Sequence, residues 1–91
     1  MSYIIKRQKT FTKDFHKVTL NDTEFNRLIA YIALLQEGKA LPKEANEHAL
    51  QGEWKDTREF HIGSDMLVVY MYEEENIIKL LRIGTHAQIF K

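Results

Sequence analysis

The chain has 91 residues, 13 Lys and Arg against 13 Asp and Glu, a formal net charge of zero and no cysteine. Those numbers describe one domain, residues 1–91, with a modest core, no disulfide and no thiolate metal site. No apolar run approaches the roughly 18 residues of a membrane span, and Met1 to Arg7 lacks the apolar region of a signal peptide, so a cytoplasmic location without membrane contact is expected.

Tyr3 to Arg7 is short and partly β-branched, and reads as a strand. From Thr10 to Val18, Phe11, Phe15 and Val18 fall at i, i+4 and i+7, the stripe of a short helix. Asn21 starts a stronger helix, with Glu24 at the far corner of a capping box. In it Phe25, Leu28, Ile29, Ile32 and Leu35 recur at helical spacing, a stripe expected to lie in the core, and Gly38 is the expected stop. Leu41 to Gly52 is polar and reads as a loop of about a dozen residues, a length that in compact domains often serves function. Three strands follow, at 54–62, 66–72 and 76–83. Gly63-Ser64 is a hairpin turn, and Glu73-Glu74-Glu75-Asn76 an acidic one. The expected fold is α+β: an N-terminal strand, two helices, then a three-stranded antiparallel meander with the helices on one sheet face.

Charge is spread unevenly. Residues 1–18 hold five Lys and Arg against one Asp, a net +4, while 19–59 and 60–91 carry net −3 and −1. The basic end either faces a phosphate backbone or is simply solvated.

The chemistry-bearing residues gather in the second half. His48 lies in the long loop, His61 ends a strand, Asp65 follows the turn, Arg82 lies near the end of the last strand, and His86 and Phe90 come after it. Alternation puts Glu59 and His61 on one sheet face and Phe60 and Ile62 on the other, the helix-covered side. The same alternation puts Arg82 with Leu80 and Ile78. RNA cleavage by the neighbouring 2′-hydroxyl needs one group to take its proton, one to protonate the leaving 5′-oxygen, and a cation to steady the phosphorane. Histidine as a residue type suits both proton roles, arginine suits the third, and a Phe can stack on a base. Each residue also has a plainer role: Asp65 in turn chemistry, Arg82 in a pair with a surface carboxylate, Phe90 closing the core. His16 has only the plain one. Three His and an Asp are adequate zinc ligands, but no pair has a tight spacing such as His-x-x-x-His, so neither metal nor cofactor is expected.

Two blocks, Ala49-Leu50-Gln51-Gly52-Glu53-Trp54-Lys55-Asp56-Thr57-Arg58-Glu59-Phe60-His61-Ile62-Gly63-Ser64-Asp65 and Leu81-Arg82-Ile83-Gly84-Thr85-His86-Ala87-Gln88-Ile89-Phe90, closely resemble those of YafQ-type toxins in the RelE superfamily. The likeness extends over essentially the whole chain. It implies the microbial ribonuclease-like fold of RelE toxins and a ribosome-dependent, metal-independent messenger-RNA endonuclease. It implies silencing by a cognate antitoxin, with operator DNA bound only through that complex. Residue by residue, it implies catalytic roles for His48, His61, Asp65, Arg82, His86 and Phe90, with Lys55, Arg58 and Glu59 as RNA contacts. Two features depart from the family pattern: Glu47 stands where Asp is usual, and the chain is neutral where RelE-type toxins tend to be basic. Two other functions compete, a ParE-like gyrase inhibitor and an antitoxin-binding, autoregulatory module with weak or no nuclease activity.

Overall fold

The structure, a computed structural model, describes residues 2–90. Its elements are β1 (Ile4–Arg7), α1 (Lys9–Lys17), α2 (Asp22–Gln36), β2 (His48–Ala49), β3 (Arg58–Gly63), β4 (Met66–Glu73), β5 (Ile77–Gly84) and α3 (His86–Ile89), with short 3-10 turns at Lys43–Ala45 and Gly52–Trp54. The class is α+β, as expected. The sheet, however, has five strands in the order β1-β5-β4-β3-β2, so the expected three-stranded meander is flanked by a strand on each side. β3, β4 and β5 form the antiparallel meander, while β1 returns through the helices to lie parallel to β5, Ile4 opposite Ile77. The polar stretch before β3 is also more ordered than a loop: two of its residues form β2, antiparallel to β3.

α2 begins where its sequence dictates. The Asn21 side chain accepts from the Glu24 N–H at 2.8 Å, and Glu24 accepts from the Asn21 N–H at 3.0 Å. Gly38, at φ 73°, adopts the left-handed conformation that ends the helix. The core lies between α1, α2 and one sheet face: Phe11, Leu28, Tyr31 and Leu35 pack on Phe60, Ile62, Val68, Tyr70, Ile78 and Ile83. The expectation that the whole α2 stripe is core fails for Phe25 and Ile29, which are 47% and 54% exposed. Periodicity marks an apolar side of a helix, not how much of that side the rest of the fold covers. Among the described residues, no helix is long and apolar enough to cross a membrane.

A smaller apolar cluster occupies the opposite sheet face. Leu67, Val69 and Leu81 meet Ile89 of α3, flanked by Leu50, Trp54, Met71 and Phe90. Leu81 gets there through a bulge: Val69 pairs with Arg82 and Tyr70 with Leu80, which leaves Leu81 as the extra residue of β5. The bulge resets the alternation, so Arg82 does not share the face of Leu80 and Ile78.

Asn21→Ala removes one half of the capping box and leaves buried packing untouched. The expected loss is about 1 kcal/mol of stability, read as a lower urea midpoint with an unchanged slope.

Candidate active site

Strand register builds the site. His48 lies opposite Glu59, Glu59 opposite Val69, and Val69 opposite Arg82, one row across β2, β3, β4 and β5. Opposed residues share a sheet face. His61, two positions along β3 from Glu59, is on that face too, opposite Leu67. This is the face away from α1 and α2. α3 and the turn at Gly52–Trp54 cover part of it with the smaller apolar cluster, and the histidines stand at that cluster's edge.

Glu59 is the centre. It is 3% exposed, and one of its oxygens, Oε2, lies 3.1 Å from His48 Nε2 and 3.2 Å from His61 Nε2. A buried carboxylate is expensive unless it receives hydrogen bonds, and two imidazoles supply them. His48 is fixed at both ends, since its Nδ1 lies 2.7 Å from the Asn46 carbonyl oxygen. That oxygen can only accept, so Nδ1 carries a proton, and His48 donates to Glu59 from Nε2 only in its doubly protonated form. Asn46 reaches this position at φ 47°, a left-handed conformation that Asn tolerates. A neutral His61 donating from Nε2 to Glu59 keeps a lone pair on Nδ1.

His86 arrives from the other side. Thr85 caps α3 by a box with Gln88, its N–H donating to Gln88 Oε1 at 2.8 Å. A side chain at Gly84 would meet that same oxygen, so glycine there leaves the Gln88 side chain in its box with Thr85. The Asp65 carboxylate accepts from the His86 backbone N–H at 3.2 Å and faces the ring Nδ1 at 3.3 Å. A proton held on Nδ1 leaves Nε2 with the lone pair, the same tautomer logic by which an aspartate orients a catalytic imidazole. The His61 and His86 rings are 5.7 Å apart, edge to face, and the His48 and His61 rings 6.5 Å apart. Phe90 lies 5.8 Å from His86 and 5.2 Å from Trp54. A shallow cavity of about 370 Å³ opens here, walled by His48, Leu50, Gln51, Trp54, Glu59, His86 and Phe90.

The structure thus gathers His48, His61, Asp65, His86 and Phe90 and adds Glu59 at their centre, buried and bonded to histidines where an RNA contact was expected. It does not bring the expected cations to this centre. Arg58 is paired with Glu47, whose carboxylate also accepts from the Tyr70 hydroxyl at 2.7 Å. Burial alone would raise the Glu47 pKa, but the hydrogen bonds from Arg58 and Tyr70 outweigh it and hold the group below its ordinary range. This network pins the chain just before His48 to β3 and β4. Arg82 is paired with Asp14 of α1, the plainer of its two expected roles. Lys55 is exposed and lines a different cavity. Trp54 was not singled out by the sequence; its signal was being the only tryptophan, one turn from the long polar stretch. Glu59, His61 and His86 present ligand atoms within 4.8 Å of one another, a donor set that could hold a metal ion.

The model of a bacterial toxin family of type II toxin–antitoxin systems, YafQ, matches residues 3–91. The mRNA interferase toxin YafQ of Escherichia coli K12 is 30% identical over 82 residues, 88% of this chain and 87% of its own. A copper-bound mutant toxin from Helicobacter pylori superposes with a TM-score of 0.86 at 36% identity, covering 99% of this chain and 100% of its own. A chain of the E. coli DinJ–YafQ complex gives a TM-score of 0.81 at 28% identity, covering 98% of this chain and 99% of its own.

The two hydrogen bonds to Asp65, the backbone one first, favour its ionised form and hold its pKa below the ordinary aspartate range. A depressed folded-state pKa contributes stability that is present above the unfolded pKa and lost as pH falls through the folded value. NMR titration of the Asp65 carboxyl carbon should find it below 3.8. A midpoint at or above that value would show that the His86 contact does not form in solution.

Proposed function

The chain belongs to the YafQ family of bacterial type II toxin–antitoxin toxins, and we propose that it is a messenger-RNA endoribonuclease that works on the ribosome by metal-independent acid–base catalysis. The observation that carries this reading is the single carboxylate oxygen of Glu59 between His48 Nε2 and His61 Nε2, at 3.1 and 3.2 Å, with the His86 ring beside His61. Three imidazoles on one rigid face can hold and release protons at separate points along a bound phosphodiester.

The substrate supplies its own nucleophile. The 2′-oxygen bonds to phosphorus, and the bond from phosphorus to the 5′-oxygen breaks. One imidazole takes the 2′-proton and another gives a proton to the leaving oxygen, so the two begin in opposite protonation states. The products are a 2′,3′-cyclic phosphate and a 5′-hydroxyl. His86, oriented by Asp65 and the most exposed of the three, is suited to one proton role. His48 or His61, both held by Glu59, is suited to the other. Phe90 and Trp54 offer apolar faces on which a base can stack, and that fixes the phosphate between the rings. Arg82 is the remaining group suited to the phosphorane charge.

A metal on Glu59, His61 and His86 would supply Lewis acidity. It would also occupy nitrogen lone pairs that proton transfer uses, so added copper or zinc should inhibit. The family's toxins include one crystallised with the antitoxin DinJ, and an antitoxin is the partner proposed here. Phe15, Phe25 and Ile29 remain exposed and line a groove of about 530 Å³ between α1 and α2. The net +4 of the first 18 residues suits an acidic, amphipathic segment laid there. The pairing of Arg58 and Arg82 with carboxylates favours a second reading, a toxin-fold regulator with weak nuclease activity.

Single-turnover cleavage on programmed ribosomes separates the two. His86→Ala should lower the rate about 10²–10⁴-fold, as for loss of one general acid or base, and abolish growth arrest on induction. The wild-type rate should survive excess chelator so long as the ribosomes stay intact. Growth arrest that persists without His86 would point to a different target, and activity lost to chelator and restored by zinc would end the metal-independent mechanism.

A further inference from the structure

We infer that Asp14 is a positioning residue for RNA cleavage, acting through Arg82. The inference rests on the nuclease reading above, and within it on Arg82 meeting the scissile phosphate.

β1 stops at Arg7, opposite Leu80, and would leave the outer edge of β5 unpaired from there on. α1 takes over that edge. The Gln8 N–H donates to the Leu80 carbonyl at 2.9 Å, the Thr10 hydroxyl to the Leu81 carbonyl at 2.7 Å, and the Ile83 N–H to Asp14 Oδ2 at 3.1 Å. The spacing fits, because four residues of helix rise about 6 Å and two residues of strand about 6.6 Å. Asp14 therefore stands beside the last turn of the strand that leads into His86.

From there its carboxylate grips Arg82 along one side. Nε donates to Oδ2 at 2.6 Å and Nη2 to Oδ1 at 3.2 Å. A guanidinium has five N–H donors, and this contact takes two. Both protons of Nη1 and the second of Nη2 are left, and one from each nitrogen makes the terminal fork that suits two phosphate oxygens. The Arg82 side chain is 26% exposed and lines a cavity of about 250 Å³ beside Asp14 and Gln88, which leaves room for a ligand next to the held guanidinium. The bulge at Leu81 puts Arg82 in the same row as Glu59 and His48. Asp14 thus fixes the rotamer of a long, flexible cation before the substrate arrives, and removes that ordering from the cost of reaching the transition state.

The test is a double-mutant cycle in single-turnover cleavage at saturating ribosome complex, with Thr10→Val as a control that loses an edge bond of α1 but does not touch Arg82. Arg82→Ala should lower the rate about 10²-fold, the size typical of one lost charge-stabilising donor. Asp14→Asn keeps the shape and should lower it roughly tenfold, with less than about a twofold further loss when added to Arg82→Ala, as expected of residues acting as one unit. Asp14→Glu should recover part of the loss, and Thr10→Val should lower the thermal midpoint without slowing cleavage. Equal losses from Asp14→Asn in both backgrounds, an unchanged rate in Asp14→Asn, or an equal loss in Thr10→Val would each overturn the inference. If Arg82→Ala cleaves at the wild-type rate, the reading of Arg82 itself is wrong, and the role of Asp14 falls with it.

Discussion

A buried carboxylate has to be answered by donors, and in this domain the donors that answer Glu59 are the imidazoles of His48 and His61. Much of the local structure follows from that requirement. His48 can reach Glu59 only if the chain before β3 lies alongside it as a strand, so β2 exists, two residues long. The chain entering β2 is anchored by Glu47 to Arg58 and Tyr70, and Asn46 turns its carbonyl onto the other nitrogen of His48. A group that would be costly alone becomes the point from which two rings are aimed.

The sheet separates stability from chemistry. Its helix-covered face carries the main core, with Phe60, Ile62, Val68 and Ile83 fully or almost fully buried. That face makes the strands rigid. Among the described residues the other face contributes three buried apolar residues to its cluster, Leu67, Val69 and Leu81, which seat Ile89 of α3 and the Gly52–Trp54 turn. The polar groups at its edge are held by hydrogen bonds to strand or helix ends, so they keep their geometry while staying open to a ligand. α3 is a single turn, and its placement depends on three contacts: the Thr85–Gln88 box, the Asp65 carboxylate on the His86 N–H, and Ile89 in the apolar cluster.

Local signals were legible in the sequence and long-range ones were not. The Asn21–Glu24 box, the glycine stop after α2, and the alternation that sends Phe60 and Ile62 inward and Glu59 and His61 outward all depend on residues a few positions apart. The parallel pairing of β1 with β5 brings together residues more than 70 apart and leaves no turn signal. β2 is too short for any periodicity. The bulge at Leu81 breaks the very alternation used to place Arg82, and nothing in Leu80-Leu81-Arg82 announces it. Glu59 stood out only as the outward-facing neighbour of His61 and as an RNA contact implied by the resemblance. Its burial follows from register with His48 and Val69, which sequence spacing does not reveal. The exposed Phe25 and Ile29 belong to a stripe that reads as core from the sequence, because periodicity does not say how much of a helix the sheet covers.

Such an arrangement asks little of the protein beyond placement. In the proposed mechanism three imidazoles and a carboxylate meet a phosphodiester of a bound RNA strand, and the attacking oxygen comes with the RNA. The most direct measurement of that claim uses a programmed ribosome complex whose messenger carries a single 2′-deoxynucleotide on the 5′ side of the cleaved phosphate. This messenger should stay intact at that bond while the all-ribose messenger is cut. Cleavage of the substituted bond at the all-ribose rate would contradict the claim, because the attacking oxygen would then have to come from water.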